Sequence, residues 1–213
     1  MGDVKILATT NAPFEFEAPE GVEVVSIDED QPIPAEHLDA DGAIVQGWTS
    51  PAVTQLAREA THLRWVQTLA AGPDGVLAAN FPAQVTITNG RGLHNLTVAE
   101  TALTLALTGI RQVPEMLTAQ RERRWEHDAY GAWRTLRPEG RLGSVIDTNV
   151  LVWGFGAIGQ QIARNFTAMH AHVKGVANSA GERAGFQVFT DADLPTLLPE
   201  TDILTMVLPS SAD

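Results

Sequence analysis

Hydrophobic positions along the chain fall into short β-rich runs, separated by segments in which they recur every three or four residues. The early runs are Val4 to Ala8, Val22 to Ile27, Ala43 to Val45, Arg64 to Leu69 and Val85 to Thr88. Strand-like runs that alternate with helical segments predict a parallel α/β sheet. Between them, Ser50 is placed to cap a helix running to Ala60, with Pro51 at its first position, and a second helix is expected from Pro73 to Ala79. Residues 1–96 therefore read as one small α/β domain and residues 97–213 as a second.

The second part opens on Thr97-Val98-Ala99-Glu100, a capping-box pattern that predicts a helix start. Its continuation to Ile110 is small and apolar most of the way round, so the helix is expected to be buried on several sides, at a domain junction or a subunit interface. Another helix should run from Pro114 to about Arg124, with Arg121, Arg123 and Arg124 on an ordinary solvated face. Trp125, Tyr130 and Trp133 follow in an arm that holds two of the five tryptophans. Aromatic surface of that size packs on something, either a neighbouring subunit or its own domain.

Asn149 to Trp153 reads as a buried strand that runs directly into Gly154-Phe155-Gly156-Ala157-Ile158-Gly159, a G-x-G-x-x-G turn. Ile158, Ile162, Phe166 and Met169 then lay one apolar face along a helix. In such a turn the first glycine allows the bend, the second admits a pyrophosphate, and the third lets helix and strand lie close, with the helix N-terminus facing the phosphates. Strands are expected at His172 to Ala177, Phe186 to Phe189 and Asp202 to Leu208, with a helix over Asp191 to Leu198. Where an NAD-selective site often has a carboxylate for the ribose, this chain has Ala177-Asn178-Ser179, with Lys174 or Arg183 nearby, so NAD and NADP both stay open. The last strand is expected to be an apolar sheet edge, and the nucleotide domain to be truncated after it.

Composition narrows the chemistry. The net charge of −12, from 14 basic and 26 acidic residues, argues against sequence-independent nucleic-acid binding. The absence of cysteine excludes disulfides, thiolate zinc sites and cysteine nucleophiles, and fits a cytoplasmic setting. No export leader or membrane span is expected. His170 and His172 have no third ligand beside them, so no metal site is expected.

These motifs together resemble the D-isomer-specific 2-hydroxyacid dehydrogenase family along nearly the whole chain. The resemblance rests on Thr68-Leu69-Ala70-Ala71-Gly72-Pro73-Asp74, on Val98-Ala99-Glu100, on Val150 to Gly159, and on Thr201-Asp202-Ile203-Leu204 leading to Leu208-Pro209. It implies a flavodoxin-like substrate domain followed by an incomplete Rossmann domain, with substrate and nicotinamide meeting in a cleft. The cofactor would be NAD or NADP. It further implies that the Ala71 and Gly72 amides hold a 2-keto acid carboxylate, and that Gly154, Gly156, Ala157, Ile158 and Gly159 form the turn that cradles the pyrophosphate. Asn178 and Ser179 would face the adenosine ribose, and Val98, Leu208 and Pro209 would flank the nicotinamide. The family's Arg, acidic residue and His, which polarise and protonate the keto oxygen, lie beyond the Leu208-Pro209 loop, so no catalytic residue is assigned. Arg91 and His94 are weak substitutes, more simply surface or core residues. The activity implied is hydride transfer between NAD(P)H and a small 2-keto or 2-hydroxy acid, with the chain as given expected to be inactive. The alternative is a non-catalytic, dinucleotide-binding, dimerising module or a truncated remnant. A homodimer is expected through the Thr97–Ile110 helix and the Trp125–Trp133 arm.

Overall fold

The computed structural model describes residues 4–12, 16–125, 136–137 and 140–208. The chain packs as two units, one ending at His94 and the other spanning Asn95–Leu208.

The first unit contains β1 (Val4–Thr9), β2 (Val22–Ile27), β3 (Gly42–Val45), α1 (Pro51–Glu59), β4 (Trp65–Thr68), α2 (Asp74–Leu77) and β5 (Thr86–Thr88). The strands are all parallel, in the order β2-β1-β3-β4-β5, which is the flavodoxin-like order. Helix α1 forms where capping predicts it: the Val53 amide donates to Ser50 Oγ at 3.1 Å, and Pro51 needs no partner for an absent N–H. Its Ala52, Val53 and Leu56 meet Leu7, Ala43, Val45 and Val66 in a core closed to water. Each branched aliphatic side chain buried there contributes about 1.5–3 kcal/mol.

The second unit contains α3 (Asn95–Ile110), α4 (Val113–Arg121), β6 (Asn149–Trp153), α5 (Ala157–Ala168), β7 (His172–Val176), β8 (Gly181–Arg183), β9 (Phe186–Phe189), α6 (Leu194–Leu197) and β10 (Ile203–Met206). The sheet order is β10-β6-β7-β9-β8. Strands β10, β6, β7 and β9 are parallel, and β8 runs antiparallel along β9 at the edge. Helix α5 buries Ile162, Ala163 and Phe166 against β6 and β7, whereas Met169 has left the helix as its C-cap and is partly exposed.

Several expectations change. Helix α3 begins at Asn95, so Thr97 occupies a helical position and not the cap. Only one face of α3 is covered: Ala99, Ala102, Leu103, Ala106, Leu107 and Ile110, at helical spacing, pack on the second core. Leu96 and Leu105 are 70% and 68% exposed, because within this unit no further layer covers α3. Strand β8 was not anticipated, since three residues, Gly-Glu-Arg, carry no apolar signal and pair only through the hairpin back to β9. Trp125 is 89% exposed. Tyr130 and Trp133, expected to pack with it, lie outside the described residues.

Candidate dinucleotide and carboxylate sites

The glycine turn is built by three separate constraints. Gly154 has φ +103, and a Cβ there would lie 2.3 Å from the Val207 carbonyl oxygen, so the chain leaving β10 leaves room for glycine alone. The amides of Gly154 and Phe155 both donate to the Val176 carbonyl, at 2.9 and 3.1 Å. The Phe155 ring, 2% exposed, lies on Gly175, where a Cβ would come within 2.3 Å of it, and meets Phe186 edge-on at 5.7 Å. The turn is thereby fastened to the carboxyl end of β7. Hydrophobic periodicity carries no hint of this use of Phe155 and Gly175, because it depends on contact between two strands.

Gly156 caps α5 and has no side chain to cover its first turn. A Cβ at Gly156 would meet nothing within 4 Å. The first bond of the helical ladder runs from the Gln160 amide to the Gly156 carbonyl at 2.9 Å, so the amides ahead of it have no place in that ladder. Gly159 closes the arrangement: a Cβ there would lie 2.1 Å from the Gly154 carbonyl oxygen, so α5 rests directly on the turn. Open space over Gly156, unladdered amides from Gly156 to Gly159 and the positive end of α5 fit a diphosphate.

At the rim of β7, Ala177 donates to Phe189 and the chain turns through exposed Asn178 and Ser179. Arg183 reaches back from β8 to this rim, where one terminal guanidinium nitrogen donates to Ser179 O at 2.8 Å and to Ser179 Oγ at 2.5 Å. Lys174 instead faces Glu200 at 3.6 Å and the Phe189 ring at 5.9 Å. Of the two cations weighed for the ribose, Arg183 is the one at the rim. Leu208 lies against the turn, its Cδ2 being 3.3 Å from a Cβ position on Gly154. Val98 lines a groove of about 520 Å³ with Leu105, Leu204 and Met206, between α3 and β10. Pro209 lies outside the described residues.

In the first unit, the loop after β4 is held from several directions. The Leu69 and Ala70 amides donate to the Val45 and Gln46 carbonyls, both at 2.8 Å, and the Ala70 amide also reaches Thr68 Oγ1 at 3.1 Å. The Gly90 amide donates to the Ala70 carbonyl at 2.8 Å, and a Cβ on Gly90 would collide with Leu69 O at 2.1 Å. Among the described residues, the amides of Ala71 and Gly72 have no hydrogen-bond acceptor. Asp74 stands beside them, its Oδ2 being 2.8 Å from a Cβ position on Gly72, but it is exposed to water. His94 Nε2 lies 3.0 Å from the Leu69 carbonyl, which can only accept, so Nε2 carries the proton in this contact. That makes His94 a positioning residue for the loop. Arg91 is exposed.

The amino end of the second sheet is clamped by charge. Arg137 holds the Asp202 carboxylate through bonds of 2.9 and 2.7 Å, and the Asn149 amide donates to it at 2.9 Å. The Arg137 hydrogen bond, reinforced by that amide, holds the Asp202 carboxyl below the usual carboxylate range. His172 Nε2 lies 2.8 Å from Asp147. Among the described residues, no three His, Cys, Asp or Glu side chains group to hold a metal ion, and no helix is long and apolar enough to cross a membrane.

Residues 103–213 match the family described as D-isomer specific 2-hydroxyacid dehydrogenase, NAD binding domain, and the chain belongs to that family. It is 22% identical over 176 residues to a D-3-phosphoglycerate dehydrogenase of Archaeoglobus fulgidus, which is 80% of this chain and 31% of that protein. An NADPH-dependent glyoxylate/hydroxypyruvate reductase of Sinorhizobium meliloti, solved with NADP and sulfate, aligns with a TM-score of 0.77 and 25% identity over 99% of this chain and 64% of its own. A D-isomer specific 2-hydroxyacid dehydrogenase family protein of Aeromonas salmonicida aligns at 0.76 and 23% identity over 99% of this chain and 65% of its own. The chain thus spans less than two thirds of the length of these relatives.

Proposed function

We propose that this chain carries the coenzyme-holding and acid-holding parts of an NAD(P)-dependent oxidoreductase of small 2-keto and 2-hydroxy acids. The observation that carries this reading is the open space over Gly156 with the unladdered amides from Gly156 to Gly159 around it. Those amides and the α5 dipole bind the diphosphate bridge. Asn178 and Ser179 face the adenosine ribose, and Leu208, with Val98 and Pro209, flanks the nicotinamide half. The Ala71 and Gly72 amides orient the acid by its carboxylate, since backbone amides in a tight loop form an anion-binding concavity. When bound, the nicotinamide supplies or accepts the hydride.

No residue of the chain is assigned to polarise or protonate the keto oxygen. His94 is committed to Leu69 and His172 to Asp147. The alternative reading is a dinucleotide-binding module that does not turn over substrate. Dimerisation would use the exposed face of α3 at Leu96 and Leu105 together with the arm from Trp125, which sedimentation equilibrium tests directly. The reading as a whole is tested by thermal melting with NADH and NADPH. Ligand linkage raises the melting temperature with concentration if the turn binds them, and no shift for either at millimolar coenzyme refutes the proposal. Hydroxypyruvate-dependent oxidation of NADPH by this polypeptide would show that a proton donor was missed.

A further inference from the structure

We infer that Glu29 is a positioning residue for the loop that holds the acid: its carboxyl group fixes Gln46, and Gln46 in turn fixes the direction of the Ala71 amide. The inference rests on the acid-holding reading above and adds to it a residue that does not touch the acid. Among the described residues Glu29, 1% exposed, is the one acidic or basic residue that is buried. Its Oε1 accepts from the Gln46 amide at 2.8 Å, whereas its Oε2 is buried with no hydrogen-bond partner among the described residues. A buried carboxyl group with one oxygen unsatisfied works against folding, and an apolar side chain of similar volume would serve the core at least as well. Stability therefore does not account for Glu29, and its single side-chain bond shows where its use lies.

Glu29 follows β2 and Gln46 follows β3, and β1 lies between these strands in the sheet, so the side chain spans the end of β1 to make this bond. The Glu29 carbonyl also accepts from the Ala52 amide at 3.2 Å, which ties the residue to the first turn of α1. Gln46 is anchored a second time where its Nε2 donates to the Asn11 carbonyl at 2.7 Å. Its own carbonyl accepts from the Ala70 amide at 2.8 Å and from Thr68 Oγ1 at 3.0 Å. The last link is geometric. A trans peptide is planar, with its C=O and N–H on opposite sides. Gln46 sets the Ala70 amide and the Gly90 amide holds the Ala70 carbonyl, so the Ala70–Ala71 peptide plane is fixed and the Ala71 N–H points away from Gly90. That N–H is one of the two assigned to the acid's carboxylate. Gly47 leaves no slack, since a Cβ there would lie 2.1 Å from Thr68 Oγ1 and 2.6 Å from the Ala70 methyl. Gln46 itself is only half-buried, so an amide released by Glu29 can turn to water and take the Gln46 carbonyl out of register with Ala70. Donors of this kind bind only as well as the groups behind them hold them in place.

The test is a ¹H–¹⁵N titration with hydroxypyruvate, without coenzyme, that follows the Ala71 and Gly72 amides in the wild-type chain and in Glu29→Leu, Glu29→Gln and Thr68→Val. Leucine fills the buried space without an acceptor, glutamine keeps an acceptor oxygen for the Gln46 amide, and valine removes the Thr68 bond to Gln46 while leaving Glu29 in place. The wild-type chain should show saturable shifts at both amides. Glu29→Leu should melt within a few degrees of wild type and bind NADPH unchanged, yet hold hydroxypyruvate at least tenfold more weakly. Glu29→Gln should stay within about threefold of wild type, and Thr68→Val should lose at least threefold. A residue that served stability alone would shift the melting temperature and leave the affinity of the folded protein where it was. Wild-type affinity in Glu29→Leu, or in Thr68→Val should Glu29→Leu not fold, overturns the assignment and leaves the acid site standing, as does a tenfold loss in folded Glu29→Gln. Stationary Ala71 and Gly72 amides in the wild-type chain at millimolar hydroxypyruvate overturn the acid-holding reading and this assignment with it.

Discussion

Substituting alanine for Gly156 and for Gly159, three residues apart in one turn, should produce opposite phenotypes. At Gly159 the new methyl would sit 2.1 Å from a backbone carbonyl oxygen that cannot rotate away, so α5 must lift off the turn. Overpacking of this kind costs about 1–3 kcal/mol, and the better helix propensity of alanine returns about 1 kcal/mol. The net loss is roughly 0–2 kcal/mol, which for a chain of this size lowers the melting temperature by up to about 8 °C. At Gly156 the backbone, φ −79 and ψ −160, is open to any residue, and the methyl meets nothing within 4 Å. Reduced unfolded-state entropy stabilises Gly156→Ala by about 0.4–1 kcal/mol, and the poorer N-cap offsets it by a similar amount, so stability stays near wild type. The methyl does project into the space assigned to the diphosphate, and NADPH affinity should fall at least tenfold, or about 1.4 kcal/mol. Thermal melts without coenzyme, followed by fluorescence titration with NADPH, read the two effects separately. Gly156→Ala binding NADPH like wild type, or destabilising the fold as much as Gly159→Ala, would refute the reasoning.

Other expectations follow from packing and charge. Phe166→Ala empties a position with no exposure in the second core and should cost about 3–5 kcal/mol in urea denaturation, in line with large-to-small core replacements. Because the folded Asp202 carboxyl is held below its unfolded value, the stability it contributes is present above the ordinary carboxylate range near pH 4 and is lost as pH falls through the lower folded value. Asp202→Asn should therefore lower stability by about 1–2 kcal/mol at pH 7 and show a smaller further loss between pH 5 and 2 than wild type does; parallel pH profiles would contradict this. Leu204 and Met206 are 43% and 58% exposed on the edge strand β10, so Leu204→Lys should reduce light scattering on heating without lowering the melting temperature by more than a few degrees.

The legible parts of this fold were those written in local chemistry. Ser50 and Pro51 announced α1, and the run Asn149 to Trp153 into Gly154 announced the turn, because caps and glycine spacing act within a few residues. The capping-box pattern at Thr97 misplaced the start of α3 by three residues, since nothing in a capping signature prevents the helix from extending upstream. The coverage of α3 was misjudged for a different reason: its composition is apolar nearly all round, but only the packed stripe from Ala99 to Ile110 has a partner within the unit. Strand β8 was hidden because a three-residue polar edge strand has no periodicity to detect. Of the candidate sites, the glycine turn was legible, while the seat of Phe155 on Gly175 and the reach of Arg183 to Ser179 were not. Both depend on which strands become neighbours. The same holds for His94, whose contact with Leu69 spans 25 residues.

The most direct measurement is a ¹H–¹⁵N correlation spectrum of the chain titrated with NADPH. Saturable shifts at the amides of Gly156, Ala157, Ile158 and Gly159, larger than those of any other helix N-terminus, are the result expected if these groups grip the diphosphate. Stationary resonances at those four positions at millimolar NADPH, or shifts confined to other helices, would contradict the account.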